Sequence, residues 1–221
     1  MSVRGMLLVV GVVASASVAN AAVIASFRYD SLSGSYDAST GQFEAHASGT
    51  GPLQSTGSVT RLVGTTGTAE FEPGFVAASN PADFRILLSS SATANPNVRS
   101  GNGSFEITDA DGDKIVGEIT GSWRNSPTSI FFNGILSNVF VVAGQQTNGT
   151  FDGTLQGLFP LAFAEPAPYT GAVVELVYGA PGFFTQSFSD RVVGVTGQIV
   201  PTPGALALVG MGGLVIGRRR R

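Results

Sequence analysis

Asp109, Asp111 and Asp113 are the residues whose type and spacing come nearest to a chemical site. Three carboxylates at alternate positions could supply oxygens to a calcium ion, which takes six to eight of them. An EF-hand loop has glycine sixth and a bidentate glutamate twelfth. Counted from Asp109, glycine is fourth (Gly112) and the twelfth residue is Thr120. The same residues also read as a tight turn between two strands, so the trio is a candidate for weak calcium binding set against a plain turn. Other chemistry is sparse. Cysteine is absent and His46 is the single histidine, which excludes zinc-finger, thiol and haem chemistry of the usual kinds. No Gly-x-Ser-x-Gly elbow occurs. Glu70 and Glu72 share a strand face, as any acidic domain allows. Trp123, Tyr29, Tyr36, Tyr169 and Tyr178 could stack on sugars, but Trp123 shares its face with Ile115 and Ile119 and reads as core. No catalytic set or cofactor site emerges, and the expectation is a protein that is not an enzyme.

The elements that would position these residues follow a period of two. Phe43, Ala45 and Ala47 alternate with Glu44 and His46, which places His46 on the outward face. Phe105 and Ile107 alternate with Ser104, Glu106 and Thr108, and Ile115, Ile119 and Trp123 fall on one face. No stretch between 22 and 199 holds a 3.6 period long enough for a helix. Glycine and Ser/Thr punctuation separates roughly ten short strands. Three hairpins can be argued to register. A three-residue loop, Ala110-Asp111-Gly112, sets Asp109 against Asp113, Ile107 against Ile115 and Phe105 against Gly117. The turn Ala38-Ser39-Thr40-Gly41 sets Tyr36 against Phe43. Asn148-Gly149, a two-residue loop signal, would set Val142 against Leu155 and Phe140 against Gly157. The expected fold is all-β: one antiparallel β-sandwich, with a flattened β-barrel as the alternative.

Both ends differ from this domain. Arg4, the apolar run Met6 to Val13 and the small residues Ala19 and Ala21 compose a signal peptide over 1–21, cut by signal peptidase before Ala22. At the other end, Val200-Pro201-Thr202-Pro203 precedes the uncharged run Gly204 to Gly217 and then Arg218, Arg219, Arg220 and Arg221. Fourteen residues rise about 21 Å as a helix, short of a hydrocarbon core of about 30 Å unless arginine stems snorkel or the bilayer thins. Four arginines hold that end in the cytoplasm. Between the ends lie all fifteen acidic residues and only seven basic ones, a net charge of −8 (7 − 15). An acidic domain without a basic face excludes nucleic acid as a partner and is compatible with cation-mediated contact to exopolysaccharide.

The tail resembles the PEP-CTERM sorting signal of bacteria: Val-Pro-Glu-Pro, an apolar helix, a basic end. Thr202 stands where that family usually has Glu. The resemblance covers residues 200 to 221 only. It implies a second partner, an exosortase-type membrane enzyme that cuts near the Pro-x-Pro elbow, and delivery to the cell envelope or the extracellular matrix. The expected organisation is therefore a signal helix over 1–21, an exported β domain over 22–199 and a sorting segment with a membrane helix over 200–221. The expected role is that of a non-catalytic envelope or matrix protein. The alternative is a secreted carbohydrate-binding module or a weak hydrolase acting through carboxylates.

Overall fold

The computed structural model describes residues 22–49, 53–76, 82–144, 148–163, 167–178 and 184–201. The N-terminal segment 1–21, with Ala19 and Ala21, lies outside them, as do Thr202, Pro203 and Arg218 to Arg221. The described residues are all strand and loop. The strands are β1 (Ala25–Asp37), β2 (Gln42–His46), β3 (Thr56–Arg61), β4 (Gly67–Phe71), β5 (Asp83–Ser89), β6 (Ser91–Ala92) and β7 (Val98–Thr108). They continue with β8 (Lys114–Asn125), β9 (Ile130–Val142), β10 (Thr150–Asp152), β11 (Leu158–Pro160), β12 (Tyr169–Tyr178) and β13 (Phe188–Ile199). Among the described residues no helix is long and apolar enough to cross a membrane.

Every pairing is antiparallel. The main sheet runs β13-β12-β9-β8-β7-β5-β2-β1-β3-β4, and β13 also pairs with β1, so the sheet curls back on itself. Strand β1 makes the curl possible. Its pairing with β13 shifts register between Tyr29 and Leu32 and again between Gly34 and Tyr36, and Ser31 has a φ of 59°. Such bulges sharpen the local twist. Consequently one edge of β1 serves β3 over Ala25–Asp30 and then β2 over Ser33–Asp37, while the other edge keeps β13. Two separate facing sheets are not needed to build this core. The sandwich character survives in the way opposite parts of the curled sheet meet: Phe27 of β1 stacks on Phe105 of β7 at 6.0 Å.

The alternation read from the sequence sets what lies inside. Phe43, Ala45, Phe84, Ile86, Leu88, Ile107, Ile115, Ile119 and Trp123 are fully buried. Trp123 lies between Phe43 and Phe132, at centroid distances of 5.0 and 4.8 Å. Phe105 fits because its cross-strand partner is Gly117: a Cβ there would come within 2.5 Å of the Phe105 ring.

Two of the three hairpins form in the expected register. Ile107 opposes Ile115, Phe105 opposes Gly117, and the Asp109 amide donates to the Asp113 carbonyl at 2.9 Å. Tyr36 opposes Phe43. Gly112 has a φ of 89°, so Gly112→Ala is expected to cost about 1 kcal/mol or more in urea unfolding, a residue with a Cβ being strained there. The third expectation is overturned. Asn148-Gly149 lies between β9 and β10 in the chain, but these two strands do not pair as a hairpin. Both edges of β9 are taken, by β8 and by β12, and Phe140 opposes Val116 rather than Gly157. Strand β10 instead pairs with β11, and that small hairpin closes on β4 through the Glu70–Gln156 bridge.

The first and last described segments leave the sheet at one pole. The Ile24 amide donates to the Ile199 carbonyl at 2.8 Å, and Val200 exchanges both backbone bonds with Thr170, at 2.7 and 2.9 Å. The antiparallel order places the 109–113 turn at that same pole and the 38–41 turn at the other.

Candidate functional site

The aspartates singled out in the sequence are brought together at the pole with the chain ends, but as acceptors for backbone amides. Asp109 is fully buried. Its Oδ1 accepts from the amides of Asp111 (2.9 Å) and Asp113 (2.8 Å), and its Oδ2 from the amide of Asp152 (3.0 Å). The Asp113 carboxylate, also buried, accepts from the Gly144 amide. Asp111 Oδ2 accepts from Asn148 Nδ2 at 2.6 Å, and the same amide reaches Asp152 Oδ2 at 2.5 Å. Burial raises the Asp109 pKa, against the lowering effect of those amides. The result is a knot tying the β7–β8 turn to the start of the β10 hairpin. Among the described residues no group of three or more His, Cys, Asp or Glu side chains is arranged to hold a metal ion.

His46 does not stand free in solvent as its alternation suggested. It is half-buried, with Nδ1 shielded and unpartnered. Since His46 opposes Arg85, Asp83 at the start of β5 is its diagonal neighbour on the same face. One Asp83 oxygen is likewise buried without a partner. Desolvation by burial raises the Asp83 pKa above its ordinary 3.8, with Glu106 adding and the amides of Phe84 and Ala47 and the charge of His46 opposing. The sign follows: an acid bound more tightly to its proton in the folded state contributes stability below its unfolded pKa and loses it as pH rises through the folded one. Asp83→Asn is therefore expected to melt at a higher temperature than the parent at pH 7, with the difference shrinking on acidification toward pH 3.8. Thermal melts across that range check it.

Four of the five aromatic residues considered for sugar stacking are interior. Trp123, Tyr29, Tyr36 and Tyr169 are buried, and Trp123 Nε1 donates to the Ser89 carbonyl at 3.1 Å. Tyr178 lies in β12, paired with Val193 and Ile130. Among the described residues the exposed aromatic ring is instead Phe140, at 42%. Its position has a local cause. Ile130, Phe132 and Leu136 point inward along β9, but Asn138 adopts a φ of 50° at a bulge between the Val116 and Glu118 pairings. The extra residue inverts the alternation, so Val139 is buried and Phe140 turns out.

Around Phe140 the outer face of β5, β7, β8 and β9 forms an open groove of about 400 Å³. Leu87, 38% exposed, stands on the β5 side and Phe140 on the β9 side. Between them lie Arg85, Ser104, Glu106, Val116, Glu118 and Asn138. Arg85 Nε is bonded to Glu44 at 2.7 Å and Glu106 to Lys114 at 2.7 Å. Glu118 Oε2 accepts from Asn138 Nδ2 at 2.8 Å. This concave surface mixes apolar walls with hydrogen-bonding groups, the ordinary make-up of a ligand site. No signal in a single sequence marks the Asn138 bulge, so the groove was not foreseen there.

Of the sorting residues, Val200 is paired to Thr170 and Pro201 is buried. The chain matches no family model, no curated protein and no solved structure.

Proposed function

We propose that the protein is a non-catalytic exported component of the cell envelope or extracellular matrix, delivered by an exosortase-type sorting segment over 200–221. The observation that carries the reading is the coincidence of two boundaries. The last described strand ends at Ile199, the Val200 bridge and buried Pro201 close it, and the sorting segment read from sequence begins at Val200. Ala22, the expected mature start, lies two residues before the Ile24–Ile199 bond. Both ends of the domain thus leave one pole. A membrane helix over 204–217 would hold that pole toward the bilayer and turn the 38–41 pole away from it. The interior is filled with aromatic and aliphatic side chains, which leaves the outer surface as the place of function.

The second reading, a carbohydrate-binding module or a weak hydrolase, is favoured by the groove beside Phe140. Binding and turnover separate its two forms. Glu106 and Glu118 are the acidic side chains in the groove, and each is held by a neighbour, Lys114 and Asn138. Mass spectrometry of the exported protein should find Ala22 at its N-terminus, and incubation with soluble polysaccharides should release no reducing ends. An intact Met1 on most molecules, or steady release of reducing ends abolished by Glu106→Gln or Glu118→Gln, would overturn the reading.

A further inference from the structure

We infer that the outer-face groove between Leu87 and Phe140 binds a short run of sugar units of a neutral polysaccharide. The inference rests on the exported-protein reading, for it names the material such a protein would hold. Strands β5 and β9 are three interstrand steps apart, about 14 Å, so the groove is long in one direction and shallow. A sugar ring is amphipathic, with C–H faces and a rim of hydroxyls. The wall it requires is a ring or aliphatic side chain that has no other partner. Among the described residues Phe140 makes no aromatic ring contact, and it stands beside Val116, its cross-strand neighbour.

The rim it requires is a set of paired donors and acceptors with capacity left over. Glu118 Oε2 accepts from Asn138 Nδ2, which fixes both side chains and leaves Glu118 Oε1 and Asn138 Oδ1 as acceptors for hydroxyls. The Ser104 hydroxyl sits between the walls, opposite Glu118 and Leu87. Charge decides between classes of polysaccharide. Arg85 and Glu106 are neutralised by Glu44 and Lys114, whereas Glu118 meets only an amide. The groove is left net negative, as is the whole domain, and an anionic chain is repelled. The bulge that turns Phe140 outward also presents Asn138, so one backbone irregularity supplies both the apolar platform and the amide.

The test is native affinity electrophoresis of the full chain in non-ionic detergent. Gels carry dextran, galactomannan or hydroxyethylcellulose as neutral polysaccharides and alginate as the anionic one. The expected result is retardation by at least one neutral polysaccharide and none by alginate. Phe140→Ala should weaken binding about tenfold or more, the loss of an aromatic platform, while Phe140→Tyr retains it. Glu118→Gln should weaken it several-fold. Ile135→Ala, an exposed apolar residue of β9 that does not line the groove, should bind as the parent. Phe140 is half-exposed, and an unchanged melting temperature certifies that the variant is folded. Absence of retardation by every neutral polysaccharide, equal binding by Phe140→Ala, or retardation by alginate alone overturns the inference. So does a parent dimer that Phe140→Ala converts to monomer, which would assign the groove to a second copy of the chain. The gels do not depend on delivery: a chain that is exported but not retarded sinks the groove alone, and one that is retarded but never exported sinks the sorting reading alone.

Discussion

Asp109→Ala is expected to lower the stability of the domain by about 4 kcal/mol or more. The carboxylate accepts from three backbone amides, those of Asp111, Asp113 and Asp152, and it is fully buried. A buried amide left without an acceptor costs about 1–3 kcal/mol; the Asp113 bond is buried and the Asp111 and Asp152 bonds partly so, and the deleted carboxylate itself has no solvent exposure. Asp109→Asn is expected to cost less. Its amide oxygen can keep the Asp111 and Asp113 bonds, but its NH₂ would face the Asp152 N–H. Asp111→Ala removes only the exposed link to Asn148 and should cost about 0.5 kcal/mol. Urea unfolding of the three variants orders them. The same samples test the metal alternative for Asp109, Asp111 and Asp113. A structural knot predicts no change in melting temperature with millimolar Ca²⁺. A rise that Asp111→Ala abolishes would mean that the turn is a calcium loop.

Trp123→Ala is expected to cost about 3–5 kcal/mol, the usual range for deleting a fully buried large aromatic side chain. The indole touches Phe43 from β2 and Phe132 from β9 and bonds to the Ser89 carbonyl at the end of β5. Its loss opens a cavity among rings from strands far apart in sequence, which a curled sheet cannot easily collapse. Trp123→Phe should fall between, keeping most of the ring packing and losing the Nε1 bond. Had Trp123 been a surface platform for sugars, Trp123→Ala would leave the unfolding midpoint almost unchanged. Chemical denaturation followed by far-UV circular dichroism distinguishes the two.

What the sequence revealed about this fold was local. The Asp109–Asp113 turn and the Ala38–Gly41 turn could be placed to the residue because each joins adjacent strands, and a slip of one residue would have mixed apolar and polar faces. Burial of Trp123 followed from its period with Ile115 and Ile119. The pairings that curl the sheet, β1 with β13 and β2 with β5, join segments distant in sequence, and no turn residue announces them. The bulge at Asn138 was equally invisible. Without it Phe140 falls on the inward face with Phe132 and Leu136, and a hairpin through Asn148-Gly149 looks sound. With it Phe140 is on the surface and Val139 is inside. The one exposed ring of the candidate site was thus hidden by a single extra residue. His46 shows a related limit. Alternation placed it on the outer face, but the structure leaves it half-buried there, with Nδ1 shielded and Asp83 as its diagonal neighbour.

The central claim, that residues 200–221 deliver the β domain, is tested most directly by following a tagged chain through cell fractions. The tag belongs after Ser39, in an exposed turn at the pole away from Val200, where it leaves the curled sheet intact. Changing Arg218, Arg219, Arg220 and Arg221 to Ser removes the charge that fixes orientation, and misdelivered precursor is expected. Changing Pro201 and Pro203 to Ala should act differently, extending the helix through the elbow and holding uncut protein in the membrane. The parent should reach the surface or medium without its tail. If both variants arrive there, processed as the parent is, residues 200–221 are not a sorting signal and the account is contradicted.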